Sequence, residues 1–73
     1  MKVGDLIEVN TGHIGLILDT EMLYPGHPKS PVRNYIVMWI NEAPRYAVAI
    51  AGARGDISKV SSFCVERKIN ESR

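Results

Sequence analysis

Residues 41–56 read NEAPRYAVAIAGARGD, and the fold class turns on how they are read. As a strand, they send Tyr46, Val48 and Ile50 to one side and Ala47, Ala49 and Ala51 to the other. As a helix, Asn41 caps the start, Pro44 falls in the first turn and Gly52 ends it. The regular alternation of Tyr, Val and Ile favours the strand. A strand makes the chain all-β; a helix between the third and last strands brings an OB-fold into play.

Upstream, residues 32–40 read VRNYIVMWI, the most strand-like run in the chain. Tyr35, Val37 and Trp39 fall on one side, and Ile36, Met38 and Ile40 on the other. With both sides apolar, the strand is either bent within a core or covered by another molecule. Further upstream, residues 6–9 form a first strand with Ile7 and Val9 together. Asn10, Thr11 and Gly12 turn the chain. A second strand follows over residues 13–21, with Ile14, Leu16 and Leu18 expected inward and His13 on the solvent side with Gly15 and Ile17. Gly15 within that strand signals a bulge, a bend or a close neighbour. Between these strands, MLYPGHPKSP at residues 22–31 is a long Pro-Gly loop. Downstream, residues 56–62 suit one 3₁₀ turn capped by Asp56 or Ser58. A last strand is expected over residues 63–69, with Phe63, Val65 and Ile69 inward and Cys64, Glu66 and Lys68 outward.

That sums to five short strands in 73 residues, a single domain with a thin core. A strongly bent, partly open five-stranded barrel of SH3 type, with a short 3₁₀ turn before the last strand, is the economical architecture. The single cysteine forbids an internal disulfide, and two histidines with one cysteine make a poor metal set. So small a chain is expected to lean on a partner subunit instead. Nine basic residues against eight acidic give a net charge of +1, without the basic excess typical of phosphate-tracking domains. No apolar run reaches a membrane-spanning length and no leader-like segment opens the chain. The expectation is therefore a cytoplasmic protein, a host cell or a virion being equivalent settings.

The stretches VGDLIEV, GHIGLILDT, YIVMWI and ISKVSSFCVERKI together resemble small SH3-like barrel proteins of tailed bacteriophages, marine ones included. The resemblance spans most of the chain outside the proline loop and the alanine-rich segment, and it implies fold more than function. The Gly12-x-x-Gly15 spacing also resembles KOW elements of ribosomal and transcription-elongation proteins, though few basic residues accompany it here.

Four functional readings compete. Cys64 preceded by His13 faintly resembles permuted papain-like hydrolases, with Asp19 on the histidine's face to orient it. The strand-like setting of Cys64 and the small size of the chain argue against this. Lys29, Arg33, Arg45, Arg54, Lys59, Arg67 and Lys68, with Tyr24, Tyr35 and Tyr46 as stacking faces, could meet nucleic acid, but acids are interspersed throughout. His27 paired with His13 fits no metal-ligand spacing. The favoured expectation is a non-enzymatic binding module without a cofactor, partnered by itself or another protein. Its binding residues are expected to be Tyr24, His27, Lys29, Arg33 and Tyr35 around the proline loop. Trp39 is expected as the core anchor rather than a groove residue, and Ile36, Met38 and Ile40 as an oligomer interface.

Overall fold

Period-two alternation organises the longer strands. The structure, a computed structural model, describes residues 2–69. It contains strands β1 (Leu6–Val9), β2 (Ile14–Met22), β3 (Val32–Trp39), β4 (Val48–Ala49), β5 (Ile57–Ser61) and β6 (Val65–Lys68), with a 3₁₀ turn at Ser62–Cys64. All pair antiparallel in one sheet of order β4-β5-β3-β2-β1-β6, so the chain is all-β. Among the described residues no helix is long and apolar enough to cross a membrane.

β1 and β2 form a hairpin around a three-residue loop. The Val9 N–H donates to the His13 carbonyl at 3.0 Å and the Gly12 N–H to the Val9 carbonyl at 2.8 Å. Gly12 holds φ at 88°, the left-handed position that such loops reserve for glycine. The curled inner face of the sheet buries Ile7, Val9, Ile17, Tyr35, Val37, Trp39 and Val60, with Val32, Ala43, Ala47 and Val65 packed against them. Trp39, 3% exposed, anchors this core, and its indole Nε1–H donates to Ser58 Oγ at 2.7 Å.

Several expectations are corrected here. The inward side of β2 is that of Gly15 and Ile17, not that of Ile14, Leu16 and Leu18. Gly15 decides this: it pairs with Trp39, and any Cβ there would meet Val37, the indole at 3.0 Å and the Met38 carbonyl oxygen at 3.1 Å. An absent side chain therefore marks a core position. Residues 42–52 form neither a full strand nor a helix. Ala47 N–H closes a turn onto the Pro44 carbonyl, Gly52 turns the chain at φ 82°, and only Val48 and Ala49 pair. Residues 57–61, expected as a 3₁₀ turn, form β5 with Ser58 and Val60 inward. The 3₁₀ turn comes later, at Ser62–Cys64, which breaks the alternation extrapolated back from β6. Phe63 consequently points into solvent, 95% exposed, while Val65 does reach the core.

The sheet stays open, but its two margins approach. The Tyr46 hydroxyl, just before β4, donates to Asn10 Oδ1 at 2.7 Å, and the Asn10 N–H donates to the Cys64 carbonyl at 2.9 Å. These bonds form a polar seam across the mouth of the curl.

Candidate functional site

The β2–β3 connection is a loop with its own internal order. The Leu23 N–H donates to the Pro31 carbonyl at 2.9 Å and closes its base. Ser30, buried at 9% exposure, accepts at Oγ from the Tyr24 N–H at 2.7 Å and donates to the Pro31 carbonyl at 3.1 Å. The His27 N–H donates to the Tyr24 carbonyl, and the Ser30 N–H to the His27 carbonyl, each at 3.1 Å. A serine satisfying backbone groups that a tight loop would otherwise orphan gives the segment a defined shape.

Against the base of this loop lies a groove of about 520 Å³ between the ends of β2, β3 and β5 and the 3₁₀ turn. Leu23, Pro31, Val32 and Phe63 supply its apolar surface; Arg33, Asn34, Ser61 and Ser62 supply its polar edge. Ser61 caps the 3₁₀ turn by accepting from the Phe63 N–H at 3.2 Å, which fixes where the phenyl ring is presented. Arg33 is the single charged residue of the lining, and no described acid forms an ion pair with it. The neighbouring acid Glu21 is engaged elsewhere: Asn34 Nδ2–H donates to its Oε1 at 2.7 Å and Lys59 lies 3.4 Å away. The Asn34 bond first, then the Lys59 charge and hydrogen bond and the Arg33 charge, hold the Glu21 carboxyl below its usual range.

The expected binding residues divide. Arg33 lines the groove, whereas Tyr24, His27 and Lys29 are exposed along the loop and outside that lining. Tyr35 is 8% exposed and belongs to the core, because it alternates with Val37 and Trp39 on the inner face of β3. Pro31 and Val32 belong to the loop and strand expected to carry the surface, whereas Leu23 and Phe63 were missed. Phe63 is the first residue of the strand expected over residues 63–69, and only the Ser-Ser pair before it hinted at a capped turn.

Among the described residues, His13 forms no hydrogen bond to Cys64 or Asp19. Its Nδ1 shares a 2.7 Å hydrogen bond with Thr11 Oγ1, and its ring meets Trp39 edge-on at 6.4 Å. A β-bulge between Ile17 and Asp19 carries Asp19 onto the outer face, away from the histidine's side, where its carboxylate accepts from the Thr20 N–H at 2.8 Å. Cys64 lies instead beside Tyr46. Burial of the Tyr46 hydroxyl, against an opposing Thr11 hydrogen bond and with Cys64 adding, pushes that phenol up from its ordinary value.

The cations are also dispersed. Arg54 pairs with Asp56 at 3.2 Å, Lys59 with Glu21 at 3.4 Å and Arg67 with Glu8 at 2.7 Å. Among the described residues, no three His, Cys, Asp or Glu side chains converge as a metal set. A scan against protein-family models and searches of curated proteins and of solved structures give no match.

Proposed function

We propose that this chain is a small protein-binding module of SH3-like type, working without catalysis, whose binding site is the groove between the proline loop and the 3₁₀ turn. Support for the SH3-like reading comes from the strand order. β1, β2, β3 and β5 follow one another as a meander, a 3₁₀ turn comes next, and β6 returns beside β1. The observation that carries the binding reading is Phe63, an aromatic side chain 95% exposed on a capped turn. Such a residue contributes nothing to its own core, and a rigid aromatic beside an apolar hollow is the usual anchor of a protein contact. Arg33, a guanidinium at the rim that forms no close ion pair with a described acid, selects a carboxylate. The ligand is thus an extended segment of another protein with an apolar side chain next to an acidic one.

A library of random peptides displayed and selected on the protein tests this. Enriched peptides should pair apolar with acidic residues. Phe63→Ser should weaken their binding at least about tenfold while leaving the melting temperature unchanged, since the ring is solvated already. Arg33→Ala should remove most of the salt dependence. Peptides that bind Phe63→Ser as tightly as the parent would overturn the reading. So would salt-sensitive binding to single-stranded nucleic acid that depends on the scattered lysines and not on Phe63.

A further inference from the structure

A second hollow, of about 420 Å³, shares no lining residue with the groove. Thr11 and His13 of the β1–β2 loop line it together with Glu42, Ala43, Arg45 and Tyr46 of the β3–β4 connection. Its volume falls within the roughly 300–1,000 Å³ usual for small-molecule sites. Both segments are held in place by the chain itself. Thr11 Oγ1 and His13 Nδ1 share their 2.7 Å bond, and the imidazole stands edge-on to the buried Trp39. The Ala47 N–H closes the other segment onto the carbonyl of buried Pro44, which leaves Arg45 and Tyr46 exposed at the two central positions of that turn. The bond from the Tyr46 hydroxyl to Asn10 then ties the turn to the loop.

The hollow carries one full charge of each sign, Glu42 and Arg45, both exposed. Among the described residues neither forms an ion pair, with the other or with a third group, whereas Arg54, Lys59 and Arg67 each have an acid beside them. An anion alone would meet the Glu42 carboxylate here. A metal cation would meet Arg45, and among the described residues no three acidic, histidine or cysteine side chains converge to hold it. A ligand bearing both charges meets neither objection. We propose that the hollow binds a free α-amino acid, its carboxylate on the Arg45 guanidinium and its ammonium on Glu42. The guanidinium is the planar fork that a carboxylate fits, and an ammonium donates well to a carboxylate oxygen. Ala43 and the Tyr46 ring receive the amino acid's side chain. Only the free acid carries both charges on one residue; the end of a peptide carries one of them.

Amide shifts of the isotope-labelled chain, titrated with L-alanine, L-glutamine and L-phenylalanine, test the proposal. At least one of the three should saturate by about 10 mM and move the amides of Gly12, His13, Arg45 and Tyr46. The amide of that amino acid keeps only the ammonium, and its N-acetyl form keeps only the carboxylate. Each should bind at least about tenfold more weakly. Arg45→Gln and Glu42→Gln, both at exposed positions, should each weaken binding at least about tenfold with an unchanged melting temperature. Phe63→Ser should bind like the parent, which keeps this test apart from that of the groove. No saturable shift with any of the three overturns the proposal, as does an N-acetyl form that binds as tightly as the free acid. Glutamine variants that bind like the parent, or binding lost in Phe63→Ser, overturn it equally.

Discussion

Ser58 is a hydroxyl in a core position, 5% exposed, and it exists there for one neighbour. The Trp39 indole needs an acceptor once its ring is buried, and Ser58 Oγ at 2.7 Å supplies it. Ser58→Ala leaves the buried N–H without a partner and should cost about 1–3 kcal/mol, read as a lower urea midpoint with unchanged slope. Ser58→Thr, which keeps the acceptor, should recover much of that. Equal stability of the alanine variant and the parent would show that the bond carries no load. The same pair explains a misreading at this scale. A serine between Ile57 and Lys59 looks polar and outward, so β5 resembled a capped turn. Its true role depends on a tryptophan nineteen positions earlier, which no local pattern contains. Tyr35 was misplaced for the converse reason: a hydroxyl on an aromatic ring suggests a surface, yet its alternation with Val37 and Trp39 already put it inside.

Among the elements, β2 depends most on a single position. Gly15 lies where Val37 and the Trp39 ring press onto the strand, and a Cβ there has no room. Gly15→Ala should destabilise by about 1–3 kcal/mol through overpacking. Because Val37 is the nearest obstacle, Gly15→Ala combined with Val37→Ala should be less damaging than the two costs added. Strict additivity in denaturant titrations would place the strain elsewhere. Where one face alternates without interruption, the elements were legible: β1 and β3 stand as their apolar periods predict. Legibility failed wherever the period slipped. The bulge at Ile17 and Asp19 moves Asp19 to the outer face, and the 3₁₀ turn at Ser62–Cys64 turns Phe63 out. One extra residue, or one tight turn, inverts every inference carried past it. The groove was therefore half visible, through Arg33 and the proline loop. Its apolar side was hidden by the phase error at Phe63.

For the whole molecule, the question is what holds an open sheet curled. At principal extents of 35 × 33 × 18 Å the protein is a thin slab, and the backbone ladder leaves its two margins unjoined. The Tyr46–Asn10 bond and the Asn10–Cys64 backbone bond join them through polar atoms instead. Tyr46 donates its proton to Asn10, so the seam requires a neutral phenol. Burial of the hydroxyl raises its pKa in the folded chain, whereas a tyrosine in the unfolded chain ionises near about 10. A raised folded value means the contribution is complete below the unfolded value and is lost as pH climbs through the folded one. The parent should therefore lose stability in the alkaline range more steeply than Tyr46→Phe, which has no phenol to ionise. Near neutral pH, Tyr46→Phe should itself cost at most about 1 kcal/mol, the bond being partly solvated. Urea titrations of both proteins at stepped pH measure the difference directly, and the other ionising groups cancel in the comparison. Parallel stability curves through the alkaline range would mean that the seam does not close the curl, and that core packing under Trp39 alone sustains it.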